Sequence, residues 1–179
     1  MKVDHRALLI SLTCALVLLG SACWAGIASE IQLPAHTTHG PGADRETFWT
    51  TFAFIAAANI RAWCTLIAGA VTFGVVTFIA AVGVGLYLGT SIGISLEAMG
   101  LTAVVQSTWL YTPFEFLGLV CACAAGIYPT IQMLLVGNPG QTTFFSRWRA
   151  SVENSLPLIL VSFAFICTGI VVETFMVSL

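Results

Sequence analysis

The sequence predicts an all-α membrane protein with about five transmembrane helices and an amphipathic interfacial helix on the outer side. Of its 179 residues, 58% are hydrophobic and only 8% are charged, whereas a soluble domain carries about 25% charged residues. The mean hydropathy is +0.97. Apolar runs of about 20 residues, the length that crosses a bilayer, alternate with short polar or Gly/Pro-containing segments. Water is therefore not the solvent for most of this surface.

Composition also excludes several classes of protein. The formal net charge of −2 offers no basic face for nucleic acid. All six cysteines lie within apolar runs, and they have neither zinc-site nor disulfide-framework spacing. His36 and His39 lie in a loop with no third ligand beside them. Because no catalytic motif is present either, we predict no metal site, no cofactor and no enzymatic activity.

The first apolar run follows two basic residues, Lys2 and Arg6. It covers residues 7–28, which is long enough to cross the bilayer, and it predicts an uncleaved first helix with a cytoplasmic N-terminus. A signal peptide with a cleavage-like end at Ala25 is the alternative. Residues 29–43 are polar and contain proline and glycine, which predicts a loop on the outer side.

The next two spans are inferred from the length of one apolar stretch. Residues 44–59 have an apolar face at helical spacing opposite threonines, which predicts the interfacial helix. From residue 62 to residue 100 the one charged side chain is Glu97, and a helix of that length would extend about 60 Å, twice the hydrocarbon thickness. We therefore predict two spans, 61–81 and 83–100, joined by a tight turn.

Glycines recur every four residues in the predicted third span, at Gly85, Gly89 and Gly93. Steps of four residues advance only about 40° around a helix, so these glycines form one stripe. Such a GxxxG stripe predicts close packing against another helix in lipid. Glu97 continues the series and is expected to point into the same seam.

The last two predicted spans cover residues 113–136 and 155–177. They place Glu115 in the first turn of the fourth span and Glu173 near the end of the fifth. Residues 137–152 are expected to form a cytoplasmic elbow between them. The fourth span carries a second small-residue face for helix packing, formed by Gly118, Ala122 and Gly126. The elbow carries an aromatic and basic set for docking, namely Phe144, Phe145, Arg147, Trp148 and Arg149.

The distribution of basic residues predicts the orientation. With five spans and the N-terminus inside, four basic residues are cytoplasmic and two are outside, in agreement with the positive-inside rule. The cytoplasmic ones are Lys2, Arg6, Arg147 and Arg149, and the outer ones are Arg45 and Arg61.

This topology brings several polar residues to the outer boundary of the membrane. A carboxylate at mid-membrane costs about 2.5 to 3.5 kcal/mol on insertion scales. The single arginine at this boundary can offset the charge of only one of the three carboxylates. We therefore predict a shared cluster in an outward-facing cavity, with carboxyl groups that are protonated, hydrated or joined by a cation. The alternative is that the glutamates reach interfacial water and cap helix ends. The predicted members are Asn59, Arg61, Glu97, Glu115 and Glu173.

Four short motifs together resemble a known family. They are Asn59-x-Arg61 before a glycine-containing span, Gly85-Leu-Tyr-Leu-Gly89, Glu115 followed by Gly126, and the closing Gly169-Ile-Val-Val-Glu173. This set resembles the stage II sporulation protein M family of integral membrane proteins over about residues 47–177. Two positions differ, because the family often has a His-Gly pair where this chain has Tyr111 and Thr112.

The resemblance implies a multi-pass membrane protein without known catalytic chemistry. The founding member looks like the membrane anchor of a complex that remodels the cell wall during engulfment. Relatives outside spore formers are associated with ABC-type ATPases and with bacteriocin or peptide export and immunity. The resemblance therefore leads us to expect a non-catalytic subunit in the bacterial cytoplasmic membrane, the permease-like or accessory component of an ABC-type peptide export or immunity system.

Other functions and partners stay open at this point. One alternative is an autonomous cation- or proton-coupled transporter or immunity protein, and another is the membrane anchor of a cell-wall remodelling complex. The expected partners are membrane lipid and a separate ATPase or other membrane subunit, with a homo-oligomer as a further option. The elbow is expected to dock the partner or, alternatively, to contact anionic lipid.

Overall fold

The computed structural model describes residues 4–29, 45–135 and 143–177, with side chains from residue 48 onward in the second range. The described chain is all-helical, and five of its helices are long and apolar enough to cross a membrane. The prediction of an all-α protein with five helices able to span a membrane is therefore confirmed. The predicted outer loop, apart from Ser29, and residues 136–142 lie outside the described residues. The helices are α1 (His5–Ala28), α2 (Arg45–Ile67), α3 (Val75–Thr108), α4 (Thr112–Leu135) and α5 (Phe144–Val177).

The chain turns between α2 and α3 earlier than the sequence predicted. A single helix, Arg45–Ile67, replaces the predicted interfacial helix 44–59 and the start of span 61–81. A short 3-10 turn follows, and the amide of Gly74 donates to the Gly69 carbonyl at 2.8 Å. Phe73 and Gly74 both have positive φ, 54° and 78°, which stops the helix as a left-handed cap does. The predicted turn at 81–83 is wrong because a continuous helix passes through it.

α3 and α5 are each 34 residues long. At 1.5 Å per residue an unbroken helix of this length extends about 51 Å, more than the hydrocarbon core requires. α3 breaks at Gly100, whose φ of 80° and ψ of 163° are not helical. α5 contains both the predicted elbow after residue 143 and the predicted last span. The predicted boundary between a cytoplasmic elbow ending at residue 152 and a span starting at residue 155 is therefore wrong.

α4 is the most buried span and lies at the centre of the bundle. It packs most extensively on α5, and also on α1 and α2. Its small residues allow these close contacts: a β-carbon on Gly118 would lie 2.8 Å from the side chain of Ile166. A β-carbon on Gly126 would overlap the Leu66 carbonyl and the Thr77 side chain. Ala122, between them, is fully buried.

The glycine stripe of α3 packs against α1. A β-carbon on Gly89 would overlap the Cys23 carbonyl and lie 2.9 Å from the α-carbon of Gly26. Gly85 and Gly93 face the same helix one turn to either side. The close packing that the glycine stripe predicts is therefore a contact between two helices of the same chain.

Candidate functional site: a carboxyl cluster between α2, α4 and α5

Glu115 lies in the first turn of α4, where its amide donates to the Tyr111 carbonyl at 3.1 Å. Its side chain packs directly against Gly169 of α5, where an added β-carbon would lie 2.5 Å from the Glu115 γ-carbon. Glycine at position 169 therefore leaves the space in which this carboxyl group sits between the two helices.

Two other helices supply hydrogen-bonding partners for Glu115. The Nδ2 of Asn59, on α2, donates to Glu115 Oε1 at 2.8 Å. The carboxyl group of Glu173, near the end of α5, is in hydrogen-bonding contact with that of Glu115. Asn59, Glu115 and Glu173 thus form a carboxyl cluster that joins three helices. Two ionised carboxylates contain only acceptors, so one proton is needed wherever the two carboxyl groups hydrogen-bond to each other.

Tyr111 lies beside this cluster, one helical turn before Glu115. Burial raises the pKa of the Tyr111 phenol to about 12, and the neighbouring carboxylates of Glu173 and Glu115 add to that rise. The phenol therefore stays neutral at physiological pH and keeps its hydroxyl proton. Sequence reasoning did not place Tyr111 in the cluster, although Tyr111 lies four residues before Glu115, the spacing at which side chains become neighbours along a helix.

The structure does not bring Arg61 and Glu97 to the cluster. Both side chains are exposed, and neither forms an ion pair within the described ranges. Arg61 follows Asn59 by two residues, which is about 200° around a helix, so it points away from α4 and α5. The predicted cluster of five is therefore corrected to three of its members.

Glu97 does not lie in the α1–α3 seam where the glycine series predicted it. α1 ends at Ala28, and Gly93 already faces Ile27 in the last turn of α1. One turn further along α3, Glu97 has passed the end of its partner helix. The four-residue spacing continues in the sequence, but the helix that the stripe packs against does not.

The predicted docking set divides between two faces of α5. On one face, the rings of Trp148 and Phe144 pack on Phe73, with centroids 4.1 and 5.8 Å away. The guanidinium of Arg147 on this face donates to the Met133 carbonyl at 3.4 Å. The remaining members, Phe145 and Arg149, point outward: Phe145 is 80% exposed, and the exposed Arg149 pairs with Glu153 at 2.8 Å.

Chemically, the carboxyl cluster can hold or release a proton. With both groups ionised, two carboxylates would lie in contact, and their repulsion would act directly between α4 and α5. No group of three potential metal ligands occurs among the described residues; His36 and His39 lie outside them.

The packing of Glu115 against Gly169 gives a testable coupling. We expect Gly169→Ala to destabilise the protein by about 1 to 3 kcal/mol, the usual cost of overpacking, because Glu115 must move away from Glu173. In a Glu115→Ala background, Gly169→Ala should destabilise the protein much less, because the Glu115 γ-carbon that the added methyl would contact has been removed. Thermal unfolding of the four variants in detergent measures this. Additive losses would contradict the contact.

Comparisons with protein-family models, with curated proteins and with solved structures found no match for this chain.

Proposed function

We propose that this protein is a non-catalytic multi-pass subunit of a larger envelope complex, the permease-like or accessory component of an ABC-type peptide export or immunity system. The proposal includes the bacterial cytoplasmic membrane and a cytoplasmic N-terminus. The observation that carries it is the carboxyl cluster, in which Glu115 joins Asn59 and Glu173. A permease-like subunit must change the packing of its helices in each cycle. A contact in which two carboxyl groups and an amide join three helices provides a place for that change.

The start of α5 supports a contact with another chain. Phe145, Arg149 and Glu153 follow one another at four-residue spacing, so they lie on one face of the helix, and all three are exposed. Because α5 is about 51 Å long, its first turns extend beyond a hydrocarbon core of about 30 Å. In the proposed orientation this face lies in the cytoplasm, where an ATPase would be.

Affinity purification in mild detergent, followed by mass spectrometry, tests this contact. We expect an ATPase to co-purify in stoichiometric amount with the unaltered chain and with Arg149→Lys, which keeps the charge. The double variant Phe145→Ala/Arg149→Glu should lose it while keeping the thermal stability of the parent. Recovery of the unaltered chain alone would contradict the subunit proposal. Recovery with a cell-wall hydrolase would favour the anchor of a remodelling complex.

A second candidate, an autonomous proton- or cation-coupled transporter, is favoured by the same carboxyl cluster. Its test is proton flux into vesicles that contain the purified chain and no partner. We expect flux from the unaltered chain and from Glu97→Gln, whose site is exposed and outside the cluster. Glu115→Gln and Glu173→Gln should abolish it. A chain that gives no flux by itself would refute autonomous transport and leave the subunit proposal standing.

A further inference from the structure

The last part of α3 is separated from the rest of the helix by the backbone of Gly100, which is not helical. Its φ of 80° is one that residues with a side chain rarely adopt, so glycine allows the chain to change direction here. Helical hydrogen bonding resumes beyond this point, and the amide of Trp109 donates to the Val105 carbonyl at 3.0 Å. Residues 101–109 therefore form a short helical segment of their own, which we call the distal segment.

The distal segment lies beyond the part of α3 that crosses the hydrocarbon. α1 contains 24 residues, about 36 Å of helix, which is enough to cross a hydrocarbon core of about 30 Å. Gly93 of α3 faces Ile27 in the last turn of α1. Gly100 follows Gly93 by seven residues, or about 10 Å of helix. The distal segment therefore begins at the membrane boundary, at the end of the bundle where α1 ends.

Three apolar side chains form one exposed face of the distal segment. Leu101, Val105 and Trp109 follow one another at four-residue spacing, so each is turned only about 40° from the one before it. Their side chains are 68%, 50% and 61% exposed. The part of the chain that the structure describes therefore leaves this apolar face uncovered.

The two flanks of the apolar face differ. Val104 is buried against the protein, whereas Gln106 is exposed. Because successive residues of a helix are about 100° apart, these two side chains lie on opposite sides of Val105. Thr102, which is also exposed, lies one turn before Gln106. The distal segment thus has protein on one flank, polar side chains on the other and apolar side chains between them, the arrangement of a helix in a membrane interface.

The chemistry of the segment and its surroundings favours lipid as the partner of this face. Residues 98–114 contain no side chain that is charged at neutral pH. The hydroxyl groups of Ser107 and Thr108 donate to the Val104 carbonyl at 3.0 and 2.8 Å, so their hydrogen bonds are made within the helix. Tryptophan is enriched at the level of the lipid headgroups, and Trp109 belongs to the apolar face. An uncharged apolar face at the membrane boundary matches this zone of the bilayer.

The geometry points to a membrane-surface contact in which the distal segment lies on the bilayer interface. Leu101, Val105 and Trp109 insert among the lipids, and Gln106 faces water. Because the segment is uncharged, the contact requires neither anionic lipid nor low salt, in contrast to basic interfacial helices. The contact is independent of the proposed function, because it holds whether the chain works alone or with a partner.

Fluorine NMR of the full chain, labelled with fluorotryptophan in phosphatidylcholine nanodiscs, tests this contact. The chain contains five tryptophans, and the resonance that disappears in Trp109→Phe is that of Trp109. We expect a lipid with a nitroxide near its headgroup to broaden this resonance, and a water-soluble paramagnetic chelate to leave it sharp. Replacing half of the phosphatidylcholine by phosphatidylglycerol should change neither result.

Two variants of the distal segment complete the test. Val105→Glu places a charge at the centre of the apolar face, so the segment should leave the lipid and the chelate should then broaden the Trp109 resonance. Gln106→Glu is the matched control, because it adds the same charge on the flank that faces water, and it should leave the resonance unchanged. Both sites are exposed, so the bundle should fold in either variant.

Three results would overturn the proposal. If the chelate broadens the Trp109 resonance of the unaltered chain, the apolar face lies in water. If neither agent broadens it, protein covers the face, and the contact belongs to a second copy or to another partner. If Val105→Glu and Gln106→Glu have the same effect, the apolar face does not hold the segment on the membrane.

Discussion

Glu115→Ala is expected to lower the free energy of unfolding by about 2 to 4 kcal/mol. The change leaves both the Asn59 amide and the Glu173 carboxyl without their partner in a half-buried position, and each unsatisfied group costs about 1 to 3 kcal/mol. Glu115→Gln should cost less than about 1 kcal/mol. Its amide oxygen can still accept from Asn59, and its NH₂ can donate to Glu173.

Thermal unfolding in detergent measures this pair of variants, with Glu97→Ala as the matched control. Glu97 is an exposed glutamate outside the cluster, so its removal should change stability little. If Glu115→Ala is no more destabilising than Glu97→Ala, the cluster contributes nothing to the fold. A large loss in Glu115→Gln, equal to that in alanine, would show that a carboxyl group is specifically required at this position.

Gly89→Ala is expected to destabilise the packing of α1 on α3 by about 3 kcal/mol, at the upper end of overpacking costs. The added methyl would meet backbone atoms of Cys23 and Gly26, which cannot rotate away as a side chain can. The two helices must therefore separate, and in lipid close packing is the main force that holds them together. Thermal unfolding of the purified protein measures this loss.

The control lies in the same helix. A β-carbon at Gly83 would meet no atom within 4 Å, so Gly83→Ala tests helix propensity without packing. We expect it to be neutral or to stabilise the protein by up to about 1 kcal/mol. Equal effects of Gly83→Ala and Gly89→Ala would falsify the assignment of the stripe to the α1 contact.

Sequence reasoning identified Glu115 and Glu173 as cluster members from the free energy that a carboxylate costs in lipid. A carboxylate within apolar sequence is expensive in lipid, and this argument applies to Glu115 and Glu173 wherever their helices pack. The same argument selected Glu97, which proved to be exposed. The free-energy cost of a carboxylate in lipid does not distinguish a carboxyl group that has a partner in the fold from one that lies beyond the end of a neighbouring helix.

The fold class and the number of spans followed from the sequence by itself. Partition between water and lipid is nearly additive along the chain, so composition and the lengths of apolar runs suffice for it. The small-residue stripes were also readable, because the periodicity of a helix decides which residues share a face.

Only the tertiary structure decided which faces meet. Nothing local to the glycine stripe of α3 specifies α1 as its partner, and the left-handed turn at Phe73 and Gly74 prevailed over a turn near Gly83 that span length alone favoured. The carboxyl cluster combines residues 59, 115 and 173, which are 56 and 58 positions apart. Its membership depends on the rotation and depth of three helices relative to one another, and these are set by packing between distant segments.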